Sequence, residues 1–217
     1  MNTITLNIEK NVYRLTLLGE GKFTDILVED INEVLDKIDS DSDALALIIT
    51  GEGKNFSQGY DIEFLGSCGD KVIDFIEESL GVFSRLLTLG IPCVAAINGH
   101  ALGAGAMLAL ACDFRCMRDD RGYFCLPEVD LHMDFHPFMN ALIKNKISPL
   151  VFREAVLSGK RYTGSEALNS QIVDTSTPLS ALYEEAVQQI APYVGKNRDI
   201  YSKLKKGLNS DILCHLK

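Results

Sequence analysis

Two short glycine-bearing stretches of this chain present backbone N–H groups where an anion could sit. In Gly103-Ala104-Gly105 small side chains open a helix start. The first N–H groups of a helix have no partner inside it, and the helix dipole favours negative charge there, so this turn could hold an oxyanion. In Phe56-Ser57-Gln58-Gly59-Tyr60-Asp61, Gly59 lets the chain turn and bare a neighbouring N–H. Two such donors can converge on one oxygen. Each stretch also has a plainer reading. Small residues at a helix start permit close helix–sheet packing, and the second stretch can be a surface turn with a helix cap at or near Asp61. The six cysteines and four histidines point to no metal site, because they contain no CxxC pair and no histidine ligand spacing.

Both stretches follow segments that read as buried strands. Residues 44–50 form an apolar run that enters the loop 51–60, and residues 93–97 lead through Asn98, Gly99 and a Gly/Ala run into an apolar helix over 107–111. In open α/β sheets ligands collect beyond the carboxyl ends of strands, which is where both stretches lie. Upstream, residues 3–8 and 12–18 alternate as half-buried strands joined at 9–11. Ile26, Leu27, Ile31, Val34, Leu35 and Ile38 then recur at helical spacing. Residues 72–89 form a second amphipathic helix with Ile73, Ile76, Leu80, Phe83, Leu86 and Leu87 on one side, ended by Gly90 and Pro92. Short strands are expected over 113–117 and 123–126, and helical segments over 138–144, 149–158 and 179–190. No repeat of constant period marks a solenoid array.

Composition narrows the function classes. At 217 residues, 47% hydrophobic and 24% charged, the chain has ordinary globular proportions and enough apolar residues for a sizeable core. Its formal charge of −9 repels phosphates and anionic lipids, so neither nucleic acid nor membrane is an expected partner. No apolar run approaches the ~20 residues of a spanning helix. The N-terminal residues lack a secretory pattern and the chain ends His215-Leu216-Lys217 rather than in a peroxisomal SKL, so the default expectation is a cytoplasmic protein with reduced cysteines.

The run FSQGYD at 56–61, the run AAINGHALGAGAMLALACDFR at 95–115 and PEVDL at 127–131 resemble, in order and spacing, the successive signatures of the crotonase, or enoyl-CoA hydratase/isomerase, superfamily. The resemblance covers about residues 1–175, and is strongest to the short Δ3,Δ2-enoyl-CoA isomerases. It implies an α/β fold, a spiral of ββα turns forming a core over 1–175, with a C-terminal helical region over 176–217 that helps build a homotrimer or hexamer. It further implies an acyl-CoA thioester whose carbonyl is held by the N–H groups of Tyr60 and Ala104, with no cofactor beyond the coenzyme A of the substrate. Family hydratases use two glutamates. The first aligns here with Met107 and only the second, Glu128, is present, which is the pattern of an isomerase with Glu128 as proton shuttle. Phe56, Gln58, Gly59, Asp61, Gly103, Met107 and His136 are the expected substrate-contacting set around these three.

Other residues have competing roles. In the segment 127–131, read as extended, Asp130 is expected to be structural rather than a partner of Glu128. His136 lies near where dienoyl-CoA isomerases of the superfamily carry a second acid, and also suits a helix cap before Pro137. Lys196, Arg198, Lys203, Lys205 and Lys206 form a basic cluster that could clamp the CoA phosphates or simply be a solvated helix face. The rival functions are a hydratase or acyl-CoA hydrolase of the same fold, and a non-catalytic acyl-CoA-binding protein.

Overall fold

The alternating start of the chain folds as a hairpin. In the computed structural model, which describes residues 3–216, β1 (Ile4–Glu9) pairs antiparallel with β2 (Val12–Leu17) across Lys10 and Asn11, both at positive φ, the geometry whose twist suits a two-residue hairpin. After β3 (Lys22–Phe23), α1 (Asp25–Ser40) starts at Thr24, whose side chain accepts from the Leu27 N–H. α1 buries Leu27, Val28, Ile31, Val34, Leu35 and Ile38, while Ile26, expected on that face, is exposed.

Three rounds follow. The first is β4 (Ala46–Gly51), β5 (Asn55–Ser57), β6 (Gly59–Tyr60), α2 (Ile62–Ser67) and α3 (Val72–Thr88); the second is β7 (Cys93–Ile97), β8 (His100–Leu102) and α4 (Ala104–Ala111); the third opens with β9 (Phe114–Arg118) and β10 (Phe124–Cys125). Helices α5 (Pro137–Lys146), α6 (Pro149–Ser158) and α7 (Gly164–Asn169) precede β11 (Thr175–Thr177), and α8 (Leu182–Ile190), α9 (Arg198–Leu208) and α10 (Ser210–Leu213) complete the chain. The long strands make a six-stranded sheet, β1-β2-β4-β7-β9-β11, parallel after the hairpin; β10-β8-β5 form a second sheet and β3-β6 a third. Each round thus adds one strand to the long sheet and one to the second, the ββα spiral of the crotonase fold. Successive rounds nearly touch: a Cβ on Gly122 would stand 2.5 Å from the Gly99 carbonyl carbon.

Strands of two or three residues are too short to show a period, which is why β5, β6 and β8 read as loop or glycine run in the sequence. α4 begins at Ala104, earlier than the expected 107, because its first turn is built from small residues that carry no apolar signal. The boundary expected at residue 175 falls inside β11, an integral strand of the long sheet. The helices beyond it close the same body: Leu182, Ala186 and Ile190 of α8 cover Ala46, Ile48, Val94, Ala96 and Cys116 on one sheet face, and Ile212 joins the main core on the other. Among the described residues no helix is long and apolar enough to cross a membrane.

Candidate active site

The two glycine-bearing turns meet because their strands are neighbours. β4 and β7 run parallel in register from Leu47 opposite Cys93 to Thr50 opposite Ala96, so the chain leaves both in the same direction. Asn98 fastens the two exits: its Oδ1 accepts from the Gly51 N–H at 2.8 Å, and its Nδ2 donates to the Asn55 carbonyl at 3.1 Å. Ser57 Oγ donates to the Gly21 carbonyl at 2.6 Å and accepts from the Gly59 N–H at 3.2 Å. Gly59 has φ +80°, and a Cβ there would stand 2.6 Å from the Leu102 carbonyl and 3.0 Å from the Ala104 nitrogen. The Gly59–Tyr60 backbone therefore lies directly against the start of α4. Gly103, at φ +51°, caps that helix without a side chain and donates to the Cys125 carbonyl. Ala104 is the first helical residue, so its N–H has no intrahelical acceptor.

An apolar cavity of about 280 Å³ opens beside this junction, and Tyr60, Gly103, Ala104, Met107 and Glu128 all line it. Glu128 is 8% exposed, and its Oε2 is buried without a hydrogen-bond partner among the described residues. Burial disfavours the charged carboxylate and pushes its pKa up to about 7, with its own backbone N–H opposing the rise. Such a group can gain and lose a proton near neutral pH, which suits a general acid–base. Met107, fully buried on α4, offers the cavity a thioether where a second carboxyl could stand.

The remaining expected residues divide. Gln58 and His136 line the cavity, Gln58 Nε2 donating to Glu20 Oε1 at 3.1 Å. His136 Nδ1 accepts from the Phe138 N–H at 3.2 Å and so caps α5. Phe56 and Asp61 do not line the cavity. The Phe56 ring is wholly within the core, and Asp61 caps α2 through the Phe64 N–H. The extended reading of 127–131 also fails: Leu131 donates to the Pro127 carbonyl and Met133 to that of Glu128, a run of turns that sets Asp130 against Gly159.

Sequence reasoning missed several cavity residues. Ile62, Leu131, Met133, Asp134 and Met139 line it, and so does Ile73 of the amphipathic helix over 72–89, which is 63% exposed. A surplus of apolar residues beyond one helix face was the available signal. Two of the five cations of the basic cluster make structural contacts. Lys205 is buried and paired with Asp113 at 2.8 Å; Arg198 donates to the carbonyls of Ile38 and Asp41; none of the five cations lines the cavity.

Known proteins share this pattern. A family model described as enoyl-CoA hydratase/isomerase matches residues 17–216. Enoyl-CoA delta isomerase 3 of Arabidopsis thaliana is 33% identical, covering 98% of this chain and 94% of its own, and a probable enoyl-CoA hydratase of Bacillus subtilis is 28% identical over 97% and 83%. The apo structure of a Mycobacterium tuberculosis enoyl-CoA isomerase superposes with a TM-score of 0.91 at 22% identity, covering 99% of this chain and 94% of that one, a likeness of fold. With a family match across nearly the whole chain, and the paired turns and buried glutamate in one cavity, the chain belongs to the enoyl-CoA hydratase/isomerase family.

Proposed function

We infer that this chain is a Δ3,Δ2-enoyl-CoA isomerase of fatty acid metabolism, acting on an acyl-CoA thioester with no further cofactor. The observation that carries this reading is the carboxyl of Glu128, the one buried carboxyl lining the apolar cavity among the described residues, unpartnered at Oε2, with Met107 at the position of a second acid and Asp134 exposed. Adding water to a double bond requires a group to activate the water and a group to supply a proton; moving a double bond requires only one group that does both in turn.

Glu128 as carboxylate removes a proton from C2 of the 3-enoyl thioester. The electron pair moves toward the carbonyl, giving a dienolate whose oxygen takes the N–H groups of Tyr60 and Ala104. Donors held ready for developing charge contribute ~3 kcal/mol each where they have been deleted from other enzymes. The carbonyl re-forms, C4 takes the proton back from Glu128, and the double bond ends between C2 and C3. The base consumed in the first half is the acid required in the second. Two Arabidopsis relatives named enoyl-CoA delta isomerases support the reading. The exposed stripe of Ile200, Leu204 and Leu208 on α9 supports the expected homotrimer or hexamer.

The test is incubation with a 3-enoyl-CoA, following the conjugated 2-enoyl thioester by ultraviolet absorbance and mass, beside Glu128→Gln. Isomerisation at constant mass that is lost in the folded, ligand-binding variant supports the reading. An active Gln variant overturns it, as does a product that has gained water or lost CoA, and binding without exchange of C2 protons leaves an acyl-CoA-binding protein.

A further inference from the structure

Ser79 sits in the middle of α3, is fully buried and takes no part in the chemistry above. Its Oγ lies 2.7 Å from the Ile76 carbonyl, to which it donates, and 2.6 Å from the Tyr60 hydroxyl. A serine has one hydroxyl proton. With that proton on the Ile76 carbonyl, Tyr60 is the donor in the second contact, and both bonds are satisfied only in this direction. The Tyr60 ring is further held edge-on by Phe23, at 5.9 Å between centroids, and by Phe75, at 6.0 Å. Its hydroxyl is thus the one polar end of an otherwise apolar clamp.

In the isomerase reading the clamped residue supplies one of the two backbone N–H groups that hold the thioester carbonyl. Its neighbour Gly59 is already pressed against Leu102 and Ala104, leaving the turn little room on that side. On the other side, α3 contributes Ile73 and Ile76 to the cavity wall. We propose that Ser79 is a positioning residue which, through the Tyr60 hydroxyl, fixes the carbonyl-binding N–H of Tyr60 relative to the helix forming the cavity wall. The inference rests on the isomerase reading for the role of that N–H.

The experiment uses octanoyl-CoA carrying carbon-13 in its thioester carbonyl and compares the carbonyl stretching frequency, free and bound, in the wild type, Tyr60→Phe, Ser79→Ala and the double variant, with kcat and KM for a 3-enoyl-CoA. Binding to the wild type lowers the frequency. Both single variants lose most of that displacement, and kcat falls about tenfold, since small misplacements of a preorganised group are costly. KM stays within about twofold, because the contact acts on the transition state more than on binding. The double variant is no worse than either single one, because both remove the same contact. Variants that keep the wild-type displacement and kcat, or whose losses add, overturn the role of Ser79 while leaving the isomerase reading intact. A wild type that binds without any displacement overturns the carbonyl contact itself and the inference with it. Tyr60→Phe is nearly isosteric, so it decides the matter if Ser79→Ala melts below the assay temperature.

Discussion

A Cβ built on Gly103 would stand 3.4 Å from Oε1 of Glu128. The backbone that opens α4 and the only glutamate that lines the cavity among the described residues therefore share one wall, although the sequence separates them by a full round of the spiral. Whatever shifts the turn at 103 also shifts the carboxyl.

Gly103→Ala is accordingly expected to act twice. The residue holds φ +51°, where an L side chain is strained by roughly 1–3 kcal/mol, and its methyl would come into contact with the carboxyl. Thermal melting should record the strain, and kcat should fall by about tenfold or more as the carboxyl is displaced. A variant with wild-type kcat would show that the carboxyl does not depend on this wall.

The pH dependence of Glu128 has opposite signs in turnover and stability. Turnover needs the carboxylate and should rise with pH through about 7. Stability runs the other way. The folded pKa is raised from 4.5, so this group's contribution is complete below 4.5 and is lost as the pH rises through about 7. At ~1.4 kcal/mol per unit the loss amounts to about 3 kcal/mol. Glu128→Gln should then melt above the wild type at pH 8 and lose that advantage as the pH falls toward 4. Equal melting temperatures across this range would show that the carboxyl is not desolvated.

Met107→Glu should place a second carboxyl in the cavity with Glu128. Two like charges cannot both ionise at low cost, so the midpoint of the pH–rate profile for isomerisation should move above 7. An unmoved midpoint would mean that the new side chain points elsewhere.

Much of the frame was legible because long elements repeat a period many times. α1 follows its apolar spacing, and β7 spans residues 93–97 as expected. The cavity was legible only in part. Ile73 matches the apolar face of α3, and spacing alone does not distinguish a side chain facing the core from one facing a hollow. Phe56 sits in a motif yet packs inward, in a strand whose three residues are all buried. Asn98 carried no period at all, and its hold on Gly51 and Asn55 emerges only when strands 46 residues apart in sequence lie together.

Lys205 illustrates the same limit for charge. The sequence offers five cations in a cluster, but burial and the 2.8 Å bond to Asp113, which also accepts from the Cys93 N–H, give this one a structural task. Removing one partner of such a pair costs roughly 3–5 kcal/mol. Lys205→Ala should therefore lower the melting temperature strongly, whereas Lys206→Ala, on the exposed side of α9, should leave it nearly unchanged. Comparable losses in the two variants would refute the distinction.

The covering of the long sheet by α8 has a consequence for biosynthesis. Strands join that sheet in the order in which they are made, β2, β4, β7, β9 and β11, so a chain still on the ribosome can assemble the platform progressively. Glu128 also emerges well before α8. Until Leu182, Ala186 and Ile190 arrive, however, the face carrying Ala46, Ile48, Val94, Ala96 and Cys116 has no cover. A nascent or truncated chain that ends before α8 would hold every residue lining the candidate site and still present a bare apolar sheet, a species that chaperones must shield or that self-associates.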